Sequence, residues 1–393
     1  MIKKISFLFF LLISLHFYSY EMIDLESLLL KAFGSELRIG LASLNRKKLN
    51  LKITEGSVKL IADDYEEILN IGDEISLEES GNKIKYKNNL YDKIYINKND
   101  IISIMGFNLE NKACRNYRGN FEFIIESNKI IPINIVTAEE YLYSVVPSEI
   151  GIKFPNEAIK AQAVAARTYL YYGMKMRKYS NYDLRDDTSS QMYLGHDKEI
   201  ANINILINET EGEVAVYNGE YINALYHSAS GGVTANNEDV WGGKLVPYLR
   251  AVDDKDNWKK SPRANWSYKI SKDKFSKIMG FDVNTVTITS VKNKRVVQLK
   301  VTGKKTTYIN GNNIRKLLGY TNIFSTLFKV KDMGSYFLFE GHGSGHGVGL
   351  SQWGAYGLAE KGYDYKYILK YYYKSIEIKN IENFEKYDII DNR

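Results

Sequence analysis

From Gly341 to Gly349 every second residue is glycine, and the run leads straight into Leu350-Ser351-Gln352-Trp353-Gly354. Glycine lacks a Cβ, so such a run takes positive φ readily and brings its backbone close to another group. Neither a regular helix nor an ordinary strand is built this way. Two of the chain's five histidines, His342 and His346, lie in this stretch. Packing alone does not call for imidazoles there. The pattern predicts a ligand-facing loop that ends at a helix start, with Ser351 as its cap.

Length and composition set the frame. A chain of 393 residues holds one large or two ordinary domains. Hydrophobic content of 44% and aromatic content of 13% are enough for a real core. The richness in Lys, Ile, Asn and Tyr is the kind that genome composition produces. Net charge is +6, and Lys3 and Lys4 supply two of those charges. No basic stripe with interleaved aromatics stands out, so nucleic acid is not an expected partner. Cys114 is the only cysteine, which excludes an internal disulfide and a thiolate zinc site.

Met1 to Tyr20 reads as an export signal. Lys3 and Lys4 form its positive start, and Ile5 to Leu15 is almost wholly apolar but short for a bilayer span. The small-residue cleavage pattern is poor, so a cleaved signal and an uncleaved inner-membrane anchor both stay open. The expected location is outside the cytoplasm, in the periplasm or cell envelope.

Strand-like alternation fills the stretch from Leu37 to about Pro132, as in Leu49-Asn50-Leu51-Lys52-Ile53 and Phe121-Glu122-Phe123. Thr137 and Glu140 then form a capping-box pattern for a short helix, which Pro147 should end. Ser148-Glu149-Ile150 would fall on the turn behind it. Pro155 and Asn156 start a longer helix with Ala158, Ala161 and Ala165 on one face. Gln162 and Arg167 are embedded in it, and a buried Arg needs an anionic partner. Asn218-Gly219 signals a hairpin whose returning strand delivers His227-Ser228-Ala229-Ser230-Gly231-Gly232. Further helices are expected near Lys272 to Met279, Asn313 to Leu318, after Ser351 and after Asp364.

The residues carry a family pattern. Its blocks are Tyr141-Leu142 to Pro147-Ser148-Glu149, Pro155 to Tyr169, Ser190-Gln191-Met192-Tyr193, His227 to Gly232, Glu238-Asp239-Val240-Trp241, and Gly345 to Gln352. In this order, over roughly Leu37 to Ile378, they resemble the SpoIID/LytB family. The resemblance implies a cell-wall protein acting on peptidoglycan glycan strands. In one branch the protein is a lytic transglycosylase; the other is named for enhancing a wall amidase. The family's catalytic acid follows Pro-Ser, which is Glu149 here. One carboxyl group would protonate the glycosidic oxygen and then take the proton of the muramic C6 hydroxyl, closing a 1,6-anhydro ring. Ordinary hydrolysis would call for a second carboxylate, for which Glu238 or Asp239 is available.

The remaining candidates are sugar contacts: Gln162, Arg167, Gln191, Tyr193, His227, Ser228, Ser230, Trp241, His346, Ser351 and Gln352. Trp241 and Trp353 offer flat apolar platforms. Zinc occurs in some family members through Cys and His. No cysteine lies near Asp183 to Gln191, so no metal or other cofactor is expected here. A site from His227, His342, His346 and a carboxylate would suit zinc, but the glycine loop lacks the helical spacing of zincin histidines. Ala235 stands where the family often has a glutamate. The expected fold is α+β. It comprises a β-rich part at 36–135, a larger catalytic-type part at 136–380 and a tail at 381–393. The groove lies between the parts or within the larger one. Two readings stay open: a lytic transglycosylase using Glu149, and a noncatalytic glycan-binding activator of a wall amidase.

Overall fold

A computed structural model describes residues 36–100, 103–108, 114–187, 189–255 and 257–381. The expected export segment and nearly all of the expected C-terminal tail lie outside these residues. The architecture is mixed α+β, with eight α-helices among the described residues. They are α1 (Ala138–Glu149), α2 (Asn156–Met176), α3 (Ala201–Asn208), α4 (Asn237–Trp241), α5 (Lys272–Met279), α6 (Gly311–Leu318), α7 (Gln352–Glu360) and α8 (Tyr365–Tyr372). None of these is long and apolar enough to cross a membrane.

The chain divides into two compact units. One holds the described residues up to Tyr141 together with Tyr179–Asp197; the other holds Leu142–Lys178 and the described residues from Lys198 onward. The sequence reading places the boundary between the β-rich and the larger part at 135/136. By contacts the chain changes unit inside α1, and the segment Tyr179–Asp197 groups with the β-rich unit.

The first unit is built from two sheets. One runs in the spatial order Leu184–Arg185, Leu37–Gly40, Lys129–Val136, Asn120–Glu126, Ile94–Lys98, Ser57–Ala62, Tyr65–Asn70. Its strands are antiparallel except for Leu37–Gly40 beside Leu184–Arg185. The other runs Cys114–Arg118, Ile104–Asn108, Lys48–Glu55, Glu74–Ser80, Lys83–Tyr86, Asn89–Tyr91. Period-two patterning decides which face is buried: Leu49, Leu51 and Ile53 point inward while their neighbours face solvent. Phe107 of the second sheet meets Phe121 and Phe123 of the first at ring distances of 5.4 and 6.4 Å, so aromatic rings fill the space between them.

The Thr137–Glu140 capping box forms as expected: the Thr137 N–H donates to the Glu140 carboxylate at 3.0 Å, and the Glu140 N–H to the Thr137 hydroxyl at 3.2 Å. Pro147 does not end α1. Proline removes one hydrogen bond, and so close to the C-terminus the last turn survives that loss. Ile150 N–H still reaches the Val146 carbonyl at 3.0 Å, and the Ser148 hydroxyl caps the Ser144 carbonyl at 2.7 Å. Glu149 therefore sits on the final turn of α1 rather than beyond it.

In the second unit α2 is the central element. Its alanines at 158, 161, 163, 165 and 166 are fully buried, which lets α3, α7, α8 and strand Glu213–Tyr217 approach its axis closely. The Asn218-Gly219 turn takes positive φ at both positions, 51° and 77°, and pairs Val216 with Tyr221. A separate layer spans Asn265 to His342. It contains the sheet Asn265–Ser271, Tyr336–His342, Phe328–Asp332 and the sheet Val283–Lys292, Arg295–Gly303, Thr306–Asn310. Together with α5 and α6 these enclose one core that includes Trp266, Phe275, Leu299, Ile314 and Phe337.

Arg167 lies wholly inside α2's packing. The partners seen for its guanidinium are the Thr210 hydroxyl and the carbonyls of Glu213 (3.1 Å) and Ile207 (3.3 Å). Ile207 is at the C-terminal end of α3, where a cation suits the helix dipole. The expected sugar contact is thus a corner post that ties α2 to α3 and to the following strand. Arg167→Met should cost about 3 kcal/mol by leaving buried carbonyls unpaired. A drop of roughly 5–10 °C in Tm by circular dichroism would be the corresponding signal; an unchanged Tm would refute this role.

Candidate functional site

The glycine loop is locked onto the strand Tyr226–His227. Tyr226 pairs with Leu350 and His227 with Ser351 in a parallel bridge. Ala229 N–H donates to the Ser344 carbonyl at 2.9 Å, and Ser344 N–H returns the bond at 2.8 Å. Gly343, Gly345, Gly347 and Gly349 all take positive φ, from 71° to 103°. Each approaches the protein itself. A Cβ on Gly345 would meet the His227 Cβ at 2.7 Å, one on Gly347 the Arg295 guanidinium at 2.5 Å, and one on Gly349 the Leu225 carbonyl at 2.0 Å. The alternation, read above as a device for facing a ligand, is needed to pack this loop against its own neighbours.

This packing brings two imidazoles together, with ring centres 5.6 Å apart. His227 Nδ1 lies 3.2 Å from the Val348 carbonyl, so that nitrogen carries the proton and Nε2 keeps a lone pair. His346 has the opposite tautomer, because its Nδ1 accepts the Val348 N–H at 3.1 Å. His227 Nε2 is buried with no hydrogen-bond partner among the described residues. Burial, then the Arg315 and Arg295 guanidinium groups, push the His346 pKa down to about 4. Burial, His346 and Arg295 hold His227 well below the usual range. Both rings are neutral at physiological pH.

No sequence motif marks these two arginines. Both are buried. Arg295 donates to the carbonyls of Ser230 and Val233, and Arg315 to those of Ile323 and Phe324. Burial lowers their pKa values to about 9 and about 10, so both remain cationic at pH 7.

Asp254 is a further residue that no sequence motif marks. Its buried carboxylate accepts from the Ser230 hydroxyl and the Tyr372 hydroxyl, both at 2.6 Å, and from the Asn257 amide at 3.4 Å. Burial raises its pKa, and these donors oppose the rise. Ser351 caps α7 through the Gly354 N–H at 3.1 Å and accepts the Ser230 N–H at the same distance. Ser230 and Ser351 are therefore fully buried framework groups, not sugar contacts.

Glu149 is tied to this assembly through Gln352, the residue after Ser351. The Gln352 side-chain amide donates to the Glu149 carbonyl at 3.0 Å and lies 3.4 Å from the Gln162 amide oxygen. Gln162 is fully buried and its own Nε2 has no partner among the described residues. The Glu149 side chain is half-buried. Trp241 stands 49% exposed at the end of α4, its ring centre 5.2 Å from that of His346. Trp353 is a packing residue instead, set against Phe154 at 4.7 Å and Tyr356 at 5.2 Å. Ser228 is half-buried, and its carbonyl accepts the Trp353 N–H.

Three sequence candidates fall outside this cluster. Gln191 and Tyr193 lie in the first unit and are buried there. Tyr193 donates to Asn134 at 2.6 Å and packs on Tyr141, whose hydroxyl bonds Gln191 at 3.3 Å. They hold that unit's core, so neither is a surface sugar contact. His342 is exposed, with Nδ1 2.8 Å from the Asn265 side-chain oxygen. No three His, Cys, Asp or Glu side chains converge on a common point among the described residues. Glu238, offered as a second acid, is engaged by Arg250, which holds its carboxyl below the usual range.

A family model described as Stage II sporulation protein matches residues 126–217. A stage II sporulation protein D from Bacillus amyloliquefaciens is 33% identical over 270 residues, covering 63% of this chain and 76% of that protein. The chain belongs to the stage II sporulation protein D family. An uncharacterized protein of Brachyspira hyodysenteriae is 32% identical over 279 residues, 69% of this chain and 74% of that one. An amidase enhancer of Bacillus subtilis is 30% identical over 288 residues, 59% of this chain but 39% of that protein. A second model, described as Domain of unknown function (DUF8618), matches residues 269–349, which run from the Asn265–His342 layer into the glycine loop.

Two outcomes test this arrangement within the family framework. Gly345→Ala forces a side chain into a φ of 103° and against His227. It should cost about 2 kcal/mol or more in chemical denaturation. The second test is pH. In the unfolded chain a histidine takes up its proton near pH 6.5, while folded His346 resists down to about 4. Between those values the unfolded state binds more protons, so stability should fall as pH falls through that window. His346→Gln should flatten the slope of denaturation midpoint against pH; an equal slope in both proteins would refute the assignment.

Proposed function

We propose that this protein acts on peptidoglycan in the cell envelope, as a lytic transglycosylase with Glu149 as acid and then base. The observation that supports the reading is the Gln352 side chain, which holds the Glu149 backbone across 203 residues of sequence and follows Ser351, the strand partner of His227. A general acid must be held where the leaving oxygen will lie, and a backbone tether on the last helical turn provides that positioning. The Glu149 carboxyl would donate its proton to the glycosidic oxygen. The resulting carboxylate would accept the proton of the muramic C6 hydroxyl as that oxygen bonds to C1, so no water is consumed. The exposed Trp241 indole offers a platform for the apolar face of a sugar ring. His227 Nε2 and Gln162 Nε2 are buried polar atoms without partners, a condition that native proteins usually relieve with water or ligand. The apolar run at Ile5 to Leu15 supports export.

The likeness to the amidase enhancer supports a second reading, in which the same surface holds glycan strands and activates a wall amidase without cleaving. One experiment separates the two. Purified protein is incubated with peptide-stripped glycan, and the products are analysed by mass spectrometry. Catalysis should produce 1,6-anhydromuramyl ends, and Glu149→Gln should lower their rate of appearance by about 100-fold or more. Intact strands with retained binding would favour the activator.

A further inference from the structure

The layer from Asn265 to His342 carries fourteen of the chain's 53 Lys and Arg but only four of its 47 Asp and Glu. Its net charge is +10, whereas the rest of the chain sums to −4. Chain-wide lysine richness cannot produce this, because elsewhere acids outnumber bases. The two arginines of the layer are buried, so its positive surface charge is all lysine. Ten of these lysines are exposed and two are half-buried. Lys272, Lys292 and Lys331 are balanced by Asp332, Asp239 and Glu340. Lys274, Lys277, Lys294, Lys304, Lys316 and Lys329 form no salt bridge among the described residues.

Those six stand on different elements: α5, α6, a strand and two hairpin turns. Lysine is a hydrated point charge on a flexible stem, without the fork that arginine uses for defined phosphate geometry. A planar lipid surface or a nucleic-acid duplex would engage one face or one groove. Exposed lysines spread over five elements, without a fixed arginine fork among them, suit a polyanion that makes many loose contacts.

We infer that this lysine-covered layer retains the protein in the cell wall by binding the carboxylates of the peptidoglycan mesh. The inference rests on the cell-wall reading above but not on catalysis by Glu149. Low specificity per contact and many contacts give an attraction that salt weakens steeply. It would concentrate the protein on its substrate.

The test is co-sedimentation of the full chain with purified sacculi at about 50 mM and at about 500 mM salt, where the screening lengths differ roughly threefold. Binding should be strong at low salt and largely lost at high salt. Sacculi whose carboxylates are amidated with carbodiimide should no longer bind, while sacculi stripped of phosphodiester polymers by acid should bind as before. The variant Lys274→Gln, Lys277→Gln, Lys304→Gln, Lys329→Gln should raise the half-saturating sacculus concentration by roughly tenfold. These side chains are exposed and unpaired, so Tm should not change, and a melting curve of each preparation verifies that. Equal binding to amidated sacculi, loss on removing phosphodiesters, or an unaffected quadruple variant overturns the inference. Binding to anionic vesicles or DNA in the absence of sacculus binding also overturns it. If binding follows the expected pattern while anhydro ends never form, the catalytic reading alone falls.

Discussion

The buried carboxylate of Asp254 is the point at which the second unit's separate segments are joined. Hydroxyls from Ser230 and Tyr372 and the Asn257 amide converge on it. These come from the strand-end loop after His227, from α8 and from the segment after Val252. Gly354, in the first turn of α7, has no Cβ, and one placed there would lie 2.4 Å from Asp254 Oδ2 and 1.9 Å from the Tyr372 hydroxyl. The missing side chain lets the anion sit against the positive end of α7, where it is favoured. An isolated buried anion would be costly, so these donors are required rather than optional. Ser351 meets this joint through the Ser230 N–H and the Gly354 N–H that it accepts.

Much of the local structure was legible because it depends on short-range rules. The Thr137 capping box, the Asn218-Gly219 turn, the α2 alanine face and the Ser351 and Asp364 caps all appear where the sequence places them. Pro147 was misjudged because its helix-breaking effect depends on how many hydrogen bonds remain downstream, and here few do. The site was only half legible. Motif residues come together, yet a motif does not reveal which atoms face inward. Ser230, Ser351 and Arg167 hold the frame, while Gln191 and Tyr193 hold another unit. Asp254 and Arg295 were invisible because their roles are set by partners distant in sequence. Arg295 sits in a lysine run that reads as surface, and only the close approach of Gly347 to its guanidinium shows otherwise.

The placement of cations follows the same logic of partners. Arginine occupies the buried positions, where its planar fork reaches several carbonyls at once, as Arg295, Arg315 and Arg167 each do. Lysine occupies the exposed ones, where a single hydrated charge needs no fixed partner. Arg295 and Arg315 keep His346 neutral by repulsion added to burial, so its ring hydrogen bonds do not switch across physiological pH. The surface lysines of the same layer carry a long-range field that is screened within roughly 10 Å at ordinary salt. One short layer therefore does two electrostatic jobs. Its interior fixes the protonation of the candidate site, and its exterior is suited to an acidic surrounding matrix. Averaged over the chain, the two appear only as a mild +6. The segregation emerges once the layer's boundaries are known, because only the fold says which charges belong to one surface.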